Sequence, residues 1–93
     1  PDQFEIVECY PNPFNGKLNI RYHISNESDI HATVYDLSGK VIKSFESEPK
    51  HPGQHQLIWD TKNNNGDAVA TGLYLISLSS KNRTTNKKVL YLK

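Results

Sequence analysis

Four histidines, one cysteine and a loop crowded with side-chain oxygens are the residues of this 93-residue chain whose chemistry reaches beyond packing. His23, His31, His51 and His55 would suit a zinc ion if the fold gathered them. The interval from His51 to His55 would put two imidazoles on one face of a helix, but Pro49, Pro52 and Gly53 forbid a helix there. The histidines therefore read as solvated strand and loop positions. Cys9 is followed by Tyr-Pro-Asn-Pro, which supplies no base, and no serine stands in the strained, Gly-flanked turn that exposes a nucleophile. The five glycines are scattered one per turn, so no phosphate cradle is formed. No catalytic residue is assigned and no enzymatic activity is expected.

Asp60-Thr61-Lys62-Asn63-Asn64-Asn65-Gly66-Asp67 is the one place where several oxygen donors stand close together. Asp60, Asn63, Asn65 and Asp67 make a weak calcium candidate. Lys62 stands where a second acidic ligand is wanted, and no Glu closes the far end. Ordinary turns need Asn and Asp, whose side chains bond nearby backbone and tolerate positive φ. The turn reading is preferred, and neither a metal nor a cofactor is expected.

Charge is unevenly placed. Asp2, Glu5 and Glu8 lie near the start with no base among them, whereas Lys81, Arg83, Lys87, Lys88 and Lys93 lie near the end with no acid. The net charge of +1 argues against a nucleic-acid-binding surface. The basic stripe has no aromatics interleaved on its polar face, and lysine also guards an edge strand against stray pairing.

The elements that must position these residues are strands. From Lys17 to Ile24 the chain alternates, with Leu18, Ile20, Tyr22 and Ile24 on one face. A second strand runs from Ile30 to Tyr35, and Asp36-Leu37-Ser38-Gly39 reads as a type I turn closed by Gly39 in the left-handed region. Lys40 to Phe45 pairs back, and Glu46 to Pro52 reads as a crossing loop. Gly53 opens a strand in which His55, Leu57 and Trp59 share a face. Val69 tucks under the end of the fold from a long loop over 60–72, and Leu73 to Ser79 reads as a central strand. A turn at Lys81-Asn82-Arg83 leads into a last strand, Thr84 to Leu92. With a short strand at Phe4 to Cys9 this gives about seven strands, the pattern of an all-β, immunoglobulin-like antiparallel sandwich. Residues 1–93 are read as a single domain, with Trp59, Leu57, Val34, Ile20, Tyr74 and Ile76 in one core. Hydrophobic residues make up only 35% of the chain, which a thin two-layer fold accommodates. No apolar run is long enough to span a bilayer as a helix. A single cysteine excludes an internal disulfide, and a start at Pro1 without Met suits a mature or excised piece.

Tyr10-Pro11-Asn12-Pro13-Phe14-Asn15, the strand ending in Tyr22-His23-Ile24, Val34-Tyr35-Asp36-Leu37-Ser38-Gly39-Lys40-Val41, Pro52-Gly53-Gln54-His55, Trp59-Asp60, Gly66 and Thr71-Gly72-Leu73-Tyr74 follow one another in a specific order. That order resembles the C-terminal sorting domain (type A) of type IX secretion substrates, and the related immunoglobulin-like domain of flagellar hook-capping proteins. The resemblance runs from Phe4 to Lys93, and the ending Lys87-Lys88-Val89-Leu90-Tyr91-Leu92-Lys93 shares it. Gly16 departs from relatives that carry Pro or Thr. The two prolines around Asn12 make a stiff lead-in that Phe14 anchors.

The resemblance implies a module without catalysis that takes an N-terminal passenger through the periplasm to the outer-membrane translocon of Bacteroidota and related bacteria. A sortase-like protease then removes it, leaving the passenger secreted or at the cell surface. On this reading the sorting information lies in the last two strands, with Gly72, Leu73, Tyr74, Lys87, Lys88, Val89 and Lys93 as the recognition residues. The last strand offers unpaired backbone for strand addition, and the lysines add steering. Two other classes compete. A carbohydrate- or wall-binding accessory module would show a row of exposed aromatics, whereas Tyr35 is the only clear one on a polar face. The other is a structural spacer or assembly domain, as in hook caps.

Overall fold

The computed structural model describes residues 4–81 and 83–93. Asp2 of the acidic start and Asn82 of the expected turn lie outside the described residues. Eight strands are present: β1 Phe4–Tyr10, β2 Leu18–Ile24, β3 Ser28–Asp36, β4 Val41–Ser44, β5 Glu48–Lys50, β6 Gly53–Trp59, β7 Gly72–Ser79 and β8 Thr84–Tyr91. They form the expected antiparallel β-sandwich. One sheet has the order β1-β2-β6; the other has the order β4-β3-β7-β8, with β5 also paired to β3.

The burial of β2 follows its alternation, with Leu18, Ile20, Tyr22 and Ile24 inside and Asn19, Arg21 and His23 outside. Its partner β6 keeps the same phase. Leu57 lies opposite Ile20, Trp59 lies opposite Leu18, and Gln54, Gln56 and Ile58 face solvent. Trp59 is fully buried between the sheets, edge-on to Tyr74 at 5.4 Å and tilted against Phe14 at 5.9 Å. Its Nε1–H donates to the Lys62 carbonyl at 3.0 Å, which satisfies the one polar atom that burial would strand. Ile20, Val34, Tyr74 and Ile76 complete this cluster with Leu57 packed against it, as the sequence predicts. A second cluster of Tyr22, Ile24, Ile30, Ala32 and Leu78 fills the other end, and Ile6, Phe45 and Leu57 touch both.

The β3–β4 turn forms as expected. Gly39 has φ 90, a conformation only glycine reaches without strain, and donates to the Asp36 carbonyl. The Asp36 carboxylate accepts from the Ser38 N–H, the Ser38 hydroxyl and the Lys40 N–H. These donors hold its pKa below the usual carboxylate range, the Ser38 bond most of all. Across the sandwich end, Val69 is buried as expected and donates its N–H to the carbonyl of Thr61, whose φ is 64.

The segment read as a crossing loop contains β5, so the strands number eight rather than seven. β3 is nine residues long, enough to pair with β4 along one half and with β5 along the other. Pro49 is tolerated there because β5 is an edge strand, where a missing N–H breaks no ladder on its outer side. On the outer side of β4, the Asn64 N–H donates to the Ile42 carbonyl at 3.0 Å and the Asn64 Oδ1 accepts from the Ser44 N–H at 2.9 Å.

Candidate functional site

The residues singled out near the C-terminus fall on adjacent rungs of one hairpin. Gly72 lies opposite Tyr91, Leu73 opposite Leu90, Tyr74 opposite Val89, Leu75 opposite Lys88 and Ile76 opposite Lys87. Parity divides them by role. Tyr74 and Val89 point into the core, where the Tyr74 hydroxyl donates to the Ala70 carbonyl and burial raises its phenol pKa. Leu73 points outward and is partly exposed, and the backbone N–H of Lys93 donates to the Thr71 hydroxyl at 3.1 Å. Among the described residues the basic stripe is not one surface. Lys87 shares the phase of Val89 and Tyr91, whereas Lys88 lies on the opposite face. The positive charge of Lys87 acts on the Cys9 thiol, but burial of that thiol outweighs it and pushes its pKa up to about 11.

The outer border of β8 differs from the open edge expected. Asn12 Oδ1 accepts from the Leu90 N–H at 3.0 Å, the Phe14 N–H donates to the Leu90 carbonyl at 3.0 Å, and the Leu92 N–H donates to the Phe14 carbonyl at 2.9 Å. Phe14 thus forms a parallel bridge with Tyr91, and their rings stack at 5.1 Å. Both X–Pro bonds of this segment, Tyr10–Pro11 and Asn12–Pro13, are cis. By the period of two, Asn86 and Lys88 turn their backbone groups to the same border as Leu90. Beyond β7 and Phe14, β8 has no paired strand or bridge among the described residues. The stiff lead-in and its buried anchor are legible in Pro-Asn-Pro-Phe. What the segment clasps is not, because the partner lies at the far end of the chain.

In the Asp60–Asp67 loop the side-chain oxygens of Asp60 and Asn63 serve the backbone. Asn63 Oδ1 accepts from the Asn65 and Asp67 N–H groups at 2.9 and 3.0 Å, and Asp60 Oδ1 accepts from the Lys62 N–H at 3.2 Å. Gly66 sits at φ 84 in this turn. Among the described residues no three of His, Cys, Asp and Glu are grouped to hold a metal ion. His55 stacks on Tyr22 and its Nε2 donates to the His51 carbonyl, while His51 lies 3.6 Å from Glu27. No described helix is long and apolar enough to cross a membrane.

What decides the family is a sequence pattern that spans both sheets and the Asn12–Phe14 clasp. The family model described as a secretion system C-terminal sorting domain matches residues 8–91. The chain belongs to this family of sorting domains. As a type IX secretion tail, the sorting domain implies export to the medium or the cell surface, and its family role is sorting rather than catalysis. It is 33% identical over 54 residues to the basal-body rod modification protein FlgD of Salmonella typhimurium, covering 58% of the sorting domain and 23% of FlgD. The sorting domain thus spans about a quarter of that relative's length. In structure it is similar to latent dimeric PorU of Porphyromonas gingivalis, with a TM-score of 0.75 and 19% identity, over 99% of this chain and 9% of that one. A β-glucosidase from Kluyveromyces marxianus aligns with a TM-score of 0.69 and 15% identity, over 100% of this chain and 14% of that one. At such identities the structural likeness is one of fold alone.

Proposed function

We propose that this sorting domain directs an N-terminal passenger from the periplasm through the outer membrane, is recognised there by the secretion translocon, and is then removed by a sortase-like protease. The observation that carries the reading is the family match over residues 8–91. The geometry is consistent with it: Gly72-Leu73-Tyr74, Val89-Leu90-Tyr91 and Asn12–Phe14 meet at one end of the sandwich, within reach of a single receptor. The reading takes residues 1–93 as one folding unit, supported by a core that draws on both sheets. Gly72, Leu73, Lys88 and Lys93 are the residues proposed to meet the receptor, while Tyr74 and Val89 shape the rungs from inside and Lys87 adds charge at the rim.

The test follows the full-length protein in a native host, measuring passenger in the periplasm against passenger in the medium and on the surface. Removal of Gly72–Lys93 should retain a folded passenger in the periplasm, as should loss of the translocon. Because Val89 and Tyr91 are buried, this truncation also breaks the core. Lys87→Gln, Lys88→Gln and Lys93→Gln together test the charge without doing so, and should slow export several-fold, whereas Lys81→Ala should change little. Normal export of the truncated protein would overturn the proposal.

A further inference from the structure

The outward face of the larger sheet has two unlike halves. Toward one end it is polar, with Thr33, Ser77 and Asn86 side by side across β3, β7 and β8, and His31, Ser79 and Thr84 along the next outward rung. Toward the other end it is apolar. Val41, Tyr35 and Leu75 lie in one row across β4, β3 and β7, with Lys88 of β8 completing it, and Leu73 faces Leu90 on the next outward rung. Their direction is fixed by parity, because the alternates Val34, Ile76, Tyr74 and Val89 are buried between the sheets. Val41 is 45% exposed, and Leu37 in the adjoining turn is 61% exposed. Exposed aliphatics on a monomer are ordinarily single, like Ile58 on the other sheet, which is paired with Asn19. A contiguous group of this kind marks an interaction surface.

The charge around the group says what kind of surface fits it. Lys88 lies in the row, Lys40 precedes Val41 and Lys93 follows Leu92. The ion pairs among the described residues involve none of these three. The Asp36 carboxylate, on which the Lys40 charge acts, already accepts three bonds from its own turn. A second copy packed by two-fold symmetry would set one cationic row against another.

We infer that this apolar half-face docks on a second protein that presents aliphatic side chains ringed by carboxylates. The inference rests on the sorting reading, which makes that protein part of the export machinery. It goes beyond that reading by giving a role to Tyr35, Leu37 and Val41, outside the last two strands.

The test places a photo-crosslinking amino acid at Val41 of the full-length protein in its native host, with Ile58 as the control position. The Val41 position should give an adduct with a different protein whose linked peptide carries aliphatics next to Asp or Glu. Lys88→Glu should weaken that adduct several-fold, and the Ile58 position should not give it. Export of the double variant Val41→Asp, Lys88→Glu should fall about tenfold with an unchanged urea midpoint. Three results would each overturn the inference: an adduct of twice the chain's own mass, no adduct from Val41, or sedimentation of the purified full-length protein with phosphatidylglycerol vesicles that Val41→Asp abolishes. Retention of the Gly72–Lys93 truncation together with normal export of the double variant would sink the docking face and the receptor role of Lys88, and leave standing the reading of the domain as a sorting signal. Normal export of both would sink the two together.

Discussion

The side-chain oxygen of Asn12 accepts the backbone N–H of Leu90 at 3.0 Å, 78 positions further along the chain. With the two Phe14 backbone bonds it ties the lead-in of the first sheet to the last strand of the second. Asn12→Ala should cost about 1 kcal/mol, the usual worth of one such bond. It should also speed amide exchange at Leu90 about tenfold or more, while the β2–β6 amides stay protected. Equilibrium unfolding and hydrogen exchange check both, and unchanged protection at Leu90 would show that the clasp does not form.

Trp59 fills the centre of the sandwich with no exposed surface. Trp59→Ala should destabilise by about 3–5 kcal/mol, a large part of the stability of a small domain. Trp59→Phe keeps much of the packing but leaves the Lys62 carbonyl without its donor, and should cost about 1–3 kcal/mol. Denaturant titration followed by circular dichroism measures both.

Burial raises the Cys9 thiol from its ordinary 9.0 to about 11, with Lys87 opposing the rise. The protonated thiol is the form the folded state favours. Stability from this group is therefore fully present below pH 9 and is lost as pH rises through 11. Tyr22 and Tyr74, also raised by burial, act in the same direction at higher pH. Urea midpoints should fall over that range, and Cys9→Ala should remove part of the fall. At neutral pH the folded protein should hold about a hundredfold less thiolate than the unfolded chain, measured as slowed alkylation by iodoacetamide.

Asn63 organises its loop through Oδ1. Asn63→Ala should lower stability by about 1–2 kcal/mol, equally with and without EDTA. The melting temperature of the unsubstituted protein should move by less than about 1 °C on adding EDTA. A drop of several degrees would show that side-chain oxygens of Asp60, Asn63, Asn65 and Asp67 hold a cation.

Legibility in the sequence tracked the range of the interaction. The phase of β2, the inward face of Trp59 and the Gly39 turn are set by residues two to four positions apart, and each was readable. β5 was not, because Pro49 and its polar neighbours carry a turn signal and only the length of β3 calls for a strand beside it. The split of Lys87 from Lys88 follows from the period of two, which composition alone hides. The Asn12–Leu90 clasp and the β3–β7 pairing that joins the two hairpins of the apolar half-face both link segments far apart in the chain, and no local pattern encodes either.

Asn64 holds Ile42 and Ser44 on the outer side of β4 much as Asn12 and Phe14 hold Leu90 and Leu92 on the outer side of β8. All of these bonds join neutral groups. Repulsion between lysines fades as salt shortens the Debye length, to about 3 Å at 1 M, whereas an amide bond is not screened in that way. Where these bonds lie, the borders of the larger sheet stay occupied in brine as in dilute buffer, and crowded copies at high ionic strength gain no fresh backbone there on which to lengthen one another's sheets.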